Sequence, residues 1–469
     1  MSPVVSPDEA ALAMARAAEL AIEGRAERRP LDSRSGGDAE PSALDIPLPR
    51  RGRNPVEVIE ALDSGARPGL SGMTDPGFLS WVIGGSHPVG IAADWLAASW
   101  GQNACLYDSS PAAAEAEAAS ARWLLDLLDL PRESSVGFAS GATMAAFTCL
   151  AAARLCVLER AGHDFERHGL FGCPEVAVYI ADDAHVTNYS VLRYLGFGSD
   201  QLRRIPSVAD GTYDIDALDS ALANDKAEAR IVIAQAGHIM SGGFDNFTRL
   251  SQLCRKHGAW LHVDGAFGLW IRASRKLRHI AHDIDLADSW SVDGHKWLQI
   301  PYDLGFAIVR DERYHRRAMS MQAGYLPEAP VTRNNSDYVP ELSRRARGFS
   351  AWAVMQCLGR HGIERMVESH CHATQMLASA LRQMQGVTVA NKVCLNQLAA
   401  SFDGPTGNSS EAVANALNAG GRFFVRTASW QGRTLLRFSI TNGATTPDHI
   451  EALIAELRAI WAGLNQAAA

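Results

Sequence analysis

The chain has 469 residues, 47% of them hydrophobic and 20% charged, which is the composition of an ordinary folded protein with at least one large core. Its formal net charge of -8 is spread along the sequence, so it indicates neither a nucleic-acid partner nor a membrane surface.

The cysteines and the first residues bear on the compartment. The 8 cysteines stand singly, outside any CxxC motif or metal-like Cys/His cluster, so we expect reduced thiols, no bound metal and a cytoplasmic location. The first residues lack the basic and apolar segments of a signal peptide, and no uninterrupted apolar run approaches about 18 residues. Export and membrane insertion are therefore not expected.

Residues 1–70 are predicted to form an N-terminal helix and an arm. Ser6 can cap a helix from Pro7 to Arg29, which has two acidic residues in its first turn. The stretch 30–54 is rich in Pro, Gly, Ser and charged residues and has almost no periodic apolar pattern. Because this segment has too little apolar surface to fold alone, we predict that it wraps a second copy of the chain in a homodimer.

Residues 71–345 are predicted to form a large α/β domain, because short apolar strands alternate with helices. The predicted strands are Val136–Ala139, Val176–Ala181, Ile231–Gln235, Trp260–Val263, Trp290–Val292 and Gly305–Val309. The predicted helices are Ala112–Leu130, Gly141–Glu159, Ser190–Leu195 and Phe247–His257. Such alternation predicts a mostly parallel sheet with helices on both faces.

Residues 346–469 are predicted to form a small α+β domain. A long helix, Ala351–Leu381, comes first, and Pro447–Leu464 is a closing helix. Between them the predicted strands are Val387–Val389, Leu395–Phe402, Phe423–Thr427 and Thr434–Ile440. The change from alternating elements to a run of strands indicates a separate lobe.

Two charged residues at predicted strand ends point to a cofactor. Asp264 ends the strand-like run Trp260–Val263, and Lys296 follows the run Trp290–Val292. Alone, such a Lys is usually a solvated surface group and such an Asp a turn residue. Together they are what pyridoxal 5'-phosphate (PLP) needs, because the amine can bond to the cofactor aldehyde and the carboxylate can keep the pyridine nitrogen protonated.

Further candidates surround this pair. The small residues Ser140–Thr143 lie between a predicted strand and a helix, where backbone N–H groups and the helix N-terminus can bind a phosphate. The same pattern is also common as an ordinary helix cap. His185 follows the strand Val176–Ala181 and could stack on the ring or be a structural loop residue, and His295 could donate to a phosphate or be a packed core histidine.

The motifs at Ser140–Thr143, Ala184-His185, His262–Ala266, Asp293–Trp297 and Ser343–Arg345 resemble, in order and separation, those of the group II pyridoxal-dependent amino-acid decarboxylases of fold type I. The resemblance implies an aspartate-aminotransferase-like fold, PLP as cofactor and an obligate homodimer with sites at the interface. It also implies a role for each matching residue. Lys296 would be the Schiff-base lysine, Asp264 the pyridinium partner, Ala266 and His185 the ring contacts, and Gly141, Ala142, Thr143 and His295 the phosphate contacts.

Two positions depart from the family pattern. Asp293 stands where the family commonly has Asn or another neutral donor, and a carboxylate there would be repelled by the cofactor phosphate. We therefore expect Asp293 to point elsewhere. His238 stands where the family frequently has a small hydroxyl residue, next to where the substrate or the ring should lie.

The resemblance favours PLP-dependent decarboxylation of an L-amino acid to the corresponding amine and carbon dioxide. Other PLP reactions stay open, namely transamination, carbon–carbon cleavage or oxidative decarboxylation, because Arg437 stands where fold type I aminotransferases hold a substrate carboxylate. A PLP-binding paralogue without turnover is a further alternative. Tyr338, with Tyr325 in reserve, is the candidate proton donor on the segment 321–342, as a loop tyrosine is in the resembled family.

The substrate itself is the least determined feature. Phe78, Trp81 and His238 are candidate substrate contacts, and the two aromatic rings favour an apolar or aromatic substrate side chain. Packing of Phe78 and Trp81 within the core is an equally good interpretation. Partners other than the amino-acid substrate and a second copy of the chain are not expected.

Overall fold

The computed structural model describes residues 5–31, 43–321, 332–405 and 407–467. Several of the helices within these ranges begin after a capping side chain or at proline. Helix α1 (Pro7–Ala26) has Ser6 as its N-cap, and Ser6 and Glu9 form a reciprocal capping box. The other helices are α2 (Pro55–Ala66), α3 (Pro88–Trp100), α4 (Pro111–Leu127), α5 (Ala142–Arg160), α6 (Phe165–His168), α7 (Val186–Tyr194), α8 (Ile215–Asn224), α9 (Phe247–His257), α10 (Glu312–Met319), α11 (Gly348–Arg382), α12 (Ser410–Ala419) and α13 (Pro447–Ala467).

Most of the strands of the large sheet run parallel. The strands are β1 (Ser135–Ala139), β2 (Val176–Ala181), β3 (Leu202–Ile205), β4 (Ala229–Gln235), β5 (Trp260–Asp264), β6 (Ser289–Asp293) and β7 (Gly305–Val309). In the described part of the chain they form a seven-stranded sheet in the order β1-β7-β6-β5-β4-β2-β3, in which only the pairs that include β7 are antiparallel. The sequence-based prediction of a mostly parallel α/β sheet is confirmed.

The small domain has an antiparallel sheet. It contains β8 (Val387–Val389), β9 (Gln397–Gly404), β10 (Gly407–Asn408), β11 (Arg426–Trp430) and β12 (Arg433–Ser439). Helices α11, α12 and α13 contribute to the apolar core beside this sheet. The α+β character of this region is therefore confirmed, whereas the domain boundary after residue 345 stays a prediction.

One strand of this sheet differs from its prediction. The sequence favours a strand at Phe423–Thr427, but β11 begins at Arg426. Phe423 and Phe424 are nevertheless buried, because the Phe424 carbonyl accepts a hydrogen bond from the Leu79 N–H and its ring stacks on Phe78 at 4.9 Å. The apolar residues that indicate a strand are thus used to attach the segment before α3 to the small domain.

Helix α5 is the apolar helix behind the large sheet. It is long and apolar enough to cross a membrane by length and composition, yet most of it is buried inside the protein. Its side chains pack against residues from β2, β4 and β7. The helix is therefore a core helix, and its N-terminus begins directly after β1, at the edge where the parallel strands end.

A buried ion pair connects the Ser343–Arg345 motif to this core. Arg344 lies 2.8 Å from Glu117, and both side chains are almost fully buried. The Arg344 guanidinium also donates to the Phe138 carbonyl at 2.6 Å, near the end of β1. Arg344 is thus a core residue that binds the end of β1. Its neighbour Arg345 is partly exposed and pairs with Asp94.

Candidate active site

A cavity of about 310 Å³ lies where the parallel strands end. It has the location that open α/β sheets use for ligands, outside the carboxyl ends of the strands. Its walls come from the ends of β1, β2, β4, β5 and β6 and from the helix starts that follow. The lining residues are Ser140, Gly141, Ala142, Thr143, Met144, Ala146, His185, Thr187, Asn188, Gln235, Gly237, Ile239, Asp264, Ala266, Phe267, Asp293, His295 and Lys296.

Asp264 is held in one orientation by neighbouring donors. The Asn188 side-chain amide donates to Oδ2 at 2.8 Å, and the Ala266 N–H donates to Oδ1 at 3.2 Å. Both interactions stabilise the ionised carboxylate and fix its direction. Asp264 therefore presents a fixed negative charge to the cavity, as a partner for a protonated ring nitrogen must.

Lys296 and Asp293 form an ion pair inside the cavity. Nζ of Lys296 lies 2.9 Å from Oδ2 of Asp293, whose side chain is only 3% exposed. The expectation that Asp293 points away from the site is wrong. It was based on repulsion by a phosphate, whereas in the folded chain the nearby donors need an anion and the Asp293 carboxylate supplies it.

His295 donates toward the same carboxylate. Its Nδ1 accepts a hydrogen bond from the Leu304 N–H at 3.2 Å, so the proton of the neutral ring lies on Nε2. Nε2 is 3.4 Å from Oδ1 of Asp293. Burial lowers the pKa of His295 from its ordinary value, while the charge of Asp293 opposes that shift.

His185 lies on the β2 side of the cavity and caps α7. Its Nδ1 is 2.7 Å from the Thr187 hydroxyl and accepts from the Thr187 N–H. Burial lowers its pKa, Asp264 raises it, and Lys296 and Arg437 lower it. The ring is thus neutral near neutral pH, and it lines the cavity, where it can lie against a flat ligand as the family resemblance implies.

His238 does not line the cavity. Its ring is 1% exposed, lies 3.2 Å from Oδ2 of Asp183 and contacts the Trp430 ring at a centroid distance of 5.6 Å. Trp430 in turn donates to Asp183 at 2.6 Å. His238 therefore connects the β2 and β4 ends to β11, and this packing explains why it is not placed as a substrate contact.

The two aromatic candidates also lie outside the cavity lining. Phe78 is 2% exposed, stacks on Phe424 and contacts Trp81 at a tilt, so it is a core residue. Trp81 is 51% exposed, with the Arg426 guanidinium 5.8 Å from its ring centroid. The segment reaches the site at Gly84, where an added Cβ would lie 1.9 Å from the Lys296 carbonyl oxygen. Of these two rings, that of Trp81 is the one with an exposed surface.

Tyr338 lies away from the cavity, beside the edge strand β1. Its hydroxyl donates to Glu312, and the Arg333 guanidinium covers its ring at 3.9 Å. Burial raises the pKa of Tyr338 to about 12. This arrangement does not bring the hydroxyl to the reacting atoms of its own chain, and the reserve candidate Tyr325 lies outside the described residues.

Three functional positions were missed by the sequence reasoning. Asn188 orients Asp264, and its position one turn after His185 on the following helix is a signal that could have found it. Gln235 ends β4 and lines the cavity, and its Nε2 has no hydrogen-bond partner among the described residues. The Tyr302 ring lies 4.3 Å from the His295 ring, a contact that no sequence pattern announces.

The fold and this site define a PLP-dependent enzyme of fold type I, and comparison with known proteins specifies the family. Residues 41–401 match the profile described as the pyridoxal-dependent decarboxylase conserved domain. The chain therefore belongs to this family, and it is a PLP-dependent amino-acid decarboxylase, a carboxy-lyase. The resemblance inferred from the motifs, the class of enzyme and the cofactor are confirmed.

The chain is similar to individual relatives in sequence and to solved structures in fold. The chain is 28% identical over 338 residues to an aromatic-L-amino-acid decarboxylase of Bacillus atrophaeus, covering 71% of this chain and 68% of the relative. Its fold matches a crystal structure of Oryza sativa TDC with PLP and tryptamine at a TM-score of 0.90 and 22% identity, over 99% of both chains. It also matches Rhodiola rosea 4-hydroxyphenylacetaldehyde synthase at a TM-score of 0.85 and 19% identity, over 97% and 98% of the two chains.

The residues present in the cavity fit PLP. Lys296 offers an amine, Asp264 an oriented carboxylate, and Gln235 an unsatisfied buried amide that a polar ligand atom would satisfy. The Ala142 N–H at the start of α5 provides the backbone donor that a phosphate uses, and it is bound to Asp293 at 2.5 Å. The ring end of the site is therefore preformed, and the phosphate end contains a carboxylate of the protein.

Reduction with borohydride should fix the cofactor on Lys296. The purified protein is expected to be yellow with PLP, and reduction should abolish that absorbance. Lys296 should carry the cofactor, because it is the one lysine among the described residues that line the cavity. Peptide mapping by mass spectrometry locates the modified residue. A Lys296→Arg variant is the control and should take up no fixed cofactor, whereas modification of another lysine in the wild type would refute the site.

Proposed function

We propose that this decarboxylase converts an aromatic L-amino acid to the corresponding amine. The observation that carries the proposal is the placement of Lys296 and the oriented Asp264 on the walls of one cavity. The reaction class follows from the family, and the aromatic substrate class is supported by a relative that is named an aromatic-L-amino-acid decarboxylase.

The side chains of the cavity divide the work. When bound, PLP accepts the electron pair that is released as the bond between Cα and the carboxylate breaks. Asp264, oriented by Asn188, holds a proton on the ring nitrogen, and this positive charge makes the ring a better electron acceptor. The neutral His185 ring provides a flat contact, and Lys296 and His185 are lining residues that can carry a proton to the substrate carbon.

The aromatic preference has a physical candidate in the segment before α3. Trp81 offers an exposed ring surface. Gly84, three residues after Trp81 in the same segment, lies against the Lys296 backbone. The ring is also near a cation, because Arg426 lies over both Trp81 and Phe424. An aromatic substrate side chain could stack on Trp81, and such pairs contribute about 0.5–1.5 kcal/mol beyond the buried area.

Arg437 supports a second candidate function. Burial lowers its pKa to about 10, and its charge reaches His185, so the guanidinium lies near the cavity. A substrate carboxylate held firmly in the ring plane would favour loss of the α-proton over loss of carbon dioxide. Formation of an aldehyde is another possible outcome, because one of the fold neighbours is named an aldehyde synthase.

A screen of the purified enzyme with PLP against twenty amino acids tests the proposal. We expect carbon dioxide and an equal amount of amine from tryptophan, tyrosine or phenylalanine, and little from glutamate. Trp81→Ala should raise KM for the aromatic substrate about three- to tenfold with a smaller change in kcat, since about 1 kcal/mol of stacking is lost. Turnover of acidic amino acids only, or aldehyde in place of amine, would contradict the proposal.

Asp264→Ala should retain PLP but lose activity. The variant removes the charge that keeps the ring nitrogen protonated, so turnover should fall about 10²–10³-fold, the usual cost of an electrostatic group in a site. Cofactor content is measured by absorbance and turnover by carbon dioxide release. Asn188→Ala, which loosens Asp264 without removing its charge, should show a smaller loss; near-normal turnover of Asp264→Ala would exclude this role.

We also propose a homodimer. Leu12 and Ile22 on α1 are more than 60% exposed, and Leu96, Trp100 and Trp352 line an apolar groove formed by α3, α4 and α11. Exposed apolar surface of this extent is typical of an interface. Light scattering should give twice the monomer mass. Trp352→Glu should shift the protein toward monomer, with Tyr194→Glu as a control at an exposed site; a fully active monomeric wild type would overturn the proposal.

A further inference from the structure

Several hydrogen-bond donors are directed at the Asp293 carboxylate at the phosphate end of the cavity, which is the end beside Ala142 and His295. Oδ1 accepts from the Ala142 N–H at 2.5 Å and lies 3.4 Å from the protonated Nε2 of His295, while Oδ2 lies 2.9 Å from Nζ of Lys296. These are a backbone N–H at a helix N-terminus, a neutral imidazole donor and an ammonium group. The backbone N–H and the imidazole are donors that a phosphate would use, whereas the ammonium belongs to the lysine that bonds to the cofactor aldehyde, and all three are directed at one carboxylate.

Asp293 is held in this position by its backbone. Its N–H donates to the Ala266 carbonyl at 2.9 Å, and its carbonyl accepts from the Trp270 indole at 2.9 Å. Gly141 lies directly beside it, because an added Cβ there would be 3.5 Å from Oδ1. The carboxylate therefore cannot leave the phosphate end without a rotation of its own side chain, and an isosteric amide would fit the same space.

The described lining of the cavity already has more negative than positive charges before a phosphate binds. The described residues that line the cavity include two carboxylates, Asp264 and Asp293, and one cation, Lys296. His185 and His295 have pKa values lowered by burial and are neutral near neutral pH, and the Tyr302 hydroxyl, whose pKa is raised to about 12, is neutral as well. A phosphate dianion thus arrives beside a carboxylate without a compensating arginine in the described lining.

We propose that Asp293 sets the affinity for the cofactor, because its carboxylate lies on donors that the phosphate needs and must take up a proton from solvent when the phosphate binds. The proton is then shared between the Asp293 carboxyl group and a phosphate oxygen, which removes the repulsion between two anions. Cofactor binding through the phosphate becomes weaker as the pH rises. The affinity can fall by as much as about tenfold per pH unit where one proton is taken up.

Comparison of PLP with pyridoxal, which lacks the phosphate, isolates this effect. Both compounds bond to Lys296 and contact Asp264, and the cyclisation of free pyridoxal is the same for every variant, so a change in the ratio of their affinities between two variants reports the phosphate end. The cofactor-free protein would be titrated with each compound between pH 7 and 9, where the phosphate is a dianion because its second pKa is about 6. Tryptophan fluorescence and absorbance measure binding without any measurement of turnover.

Asp293→Asn should raise the preference for PLP over pyridoxal at least about tenfold at pH 8 and remove its dependence on pH. Asp303→Asn is the matched control, because it removes a carboxylate near His295 that pairs with Arg347 instead of facing the phosphate donors. That variant should keep the wild-type ratio and slope. An Asp293→Asn ratio equal to that of the wild type, or below it, would overturn the proposal.

Calorimetry of the wild type provides a second measurement that requires no variant. Titrations at pH 8 in buffers of different ionisation enthalpy give the number of protons taken up on binding. We expect PLP binding to take up more protons than pyridoxal binding, because the contributions of Lys296 and Asp264 cancel in the comparison. Equal proton uptake for the two compounds would overturn the proposal even if Asp293→Asn failed to fold.

Discussion

The parallel pairing of β4, β5 and β6 is the constraint on which the site depends. In this register Gln235 is paired with Asp264, and Asp264 with Ser291, so the carboxyl ends of three adjacent strands lie side by side. Residues that follow β6 then reach the same edge, and this brings Lys296 to Asp264. The antiparallel strand β7 places β1 and the start of α5 at that edge as well. Gly305 allows this approach, because an added Cβ there would lie 2.3 Å from the carbonyl carbon of Gly141.

A buried carboxylate is stabilised in a different way at each end of the cavity. Asp264 keeps its charge because an amide and a backbone N–H donate to it, and no cation of the lining contacts it in the described structure. Behind it, burial lowers the pKa of His262 to about 4, so this histidine is neutral and bound to the Ser289 hydroxyl. At the other end Asp293 balances Lys296 directly. The ring end therefore presents a carboxylate oriented by neutral donors, whereas at the phosphate end the donors are directed at the Asp293 carboxylate.

Sequence reasoning predicted the parts of the site that depend on strand ends. Asp264 and Lys296 follow buried apolar runs, and the alternation of strands and helices fixes which edge they share. The orientation of Asp293 was not predicted, because its repulsion by a phosphate was expected to outweigh the attraction of the neighbouring donors, the Ala142 N–H and the Lys296 ammonium. The contacts of Tyr338 could not be predicted for another reason: its position depends on a loop that packs against α10 through Glu312, and such contacts between distant residues leave no periodic pattern. Its role as a proton donor stays a prediction. Helix α2 was missed although Asn54 and Pro55 are a clear helix start, since the surrounding composition indicated a linker.

Contacts between the two domains explain why a histidine stands at position 238, where the family frequently has a small hydroxyl residue. Its ring pairs with Asp183, lowers the pKa of that carboxyl group, and packs on Trp430 of the small domain. A small hydroxyl residue could not make these contacts, so the histidine stabilises the position of the small domain beside the β2 and β4 ends. Substrate selection is then left to residues nearer the cavity entrance. Trp81 is the described residue best suited to it, because its ring is half exposed while Phe78 and Phe424 hold it from behind.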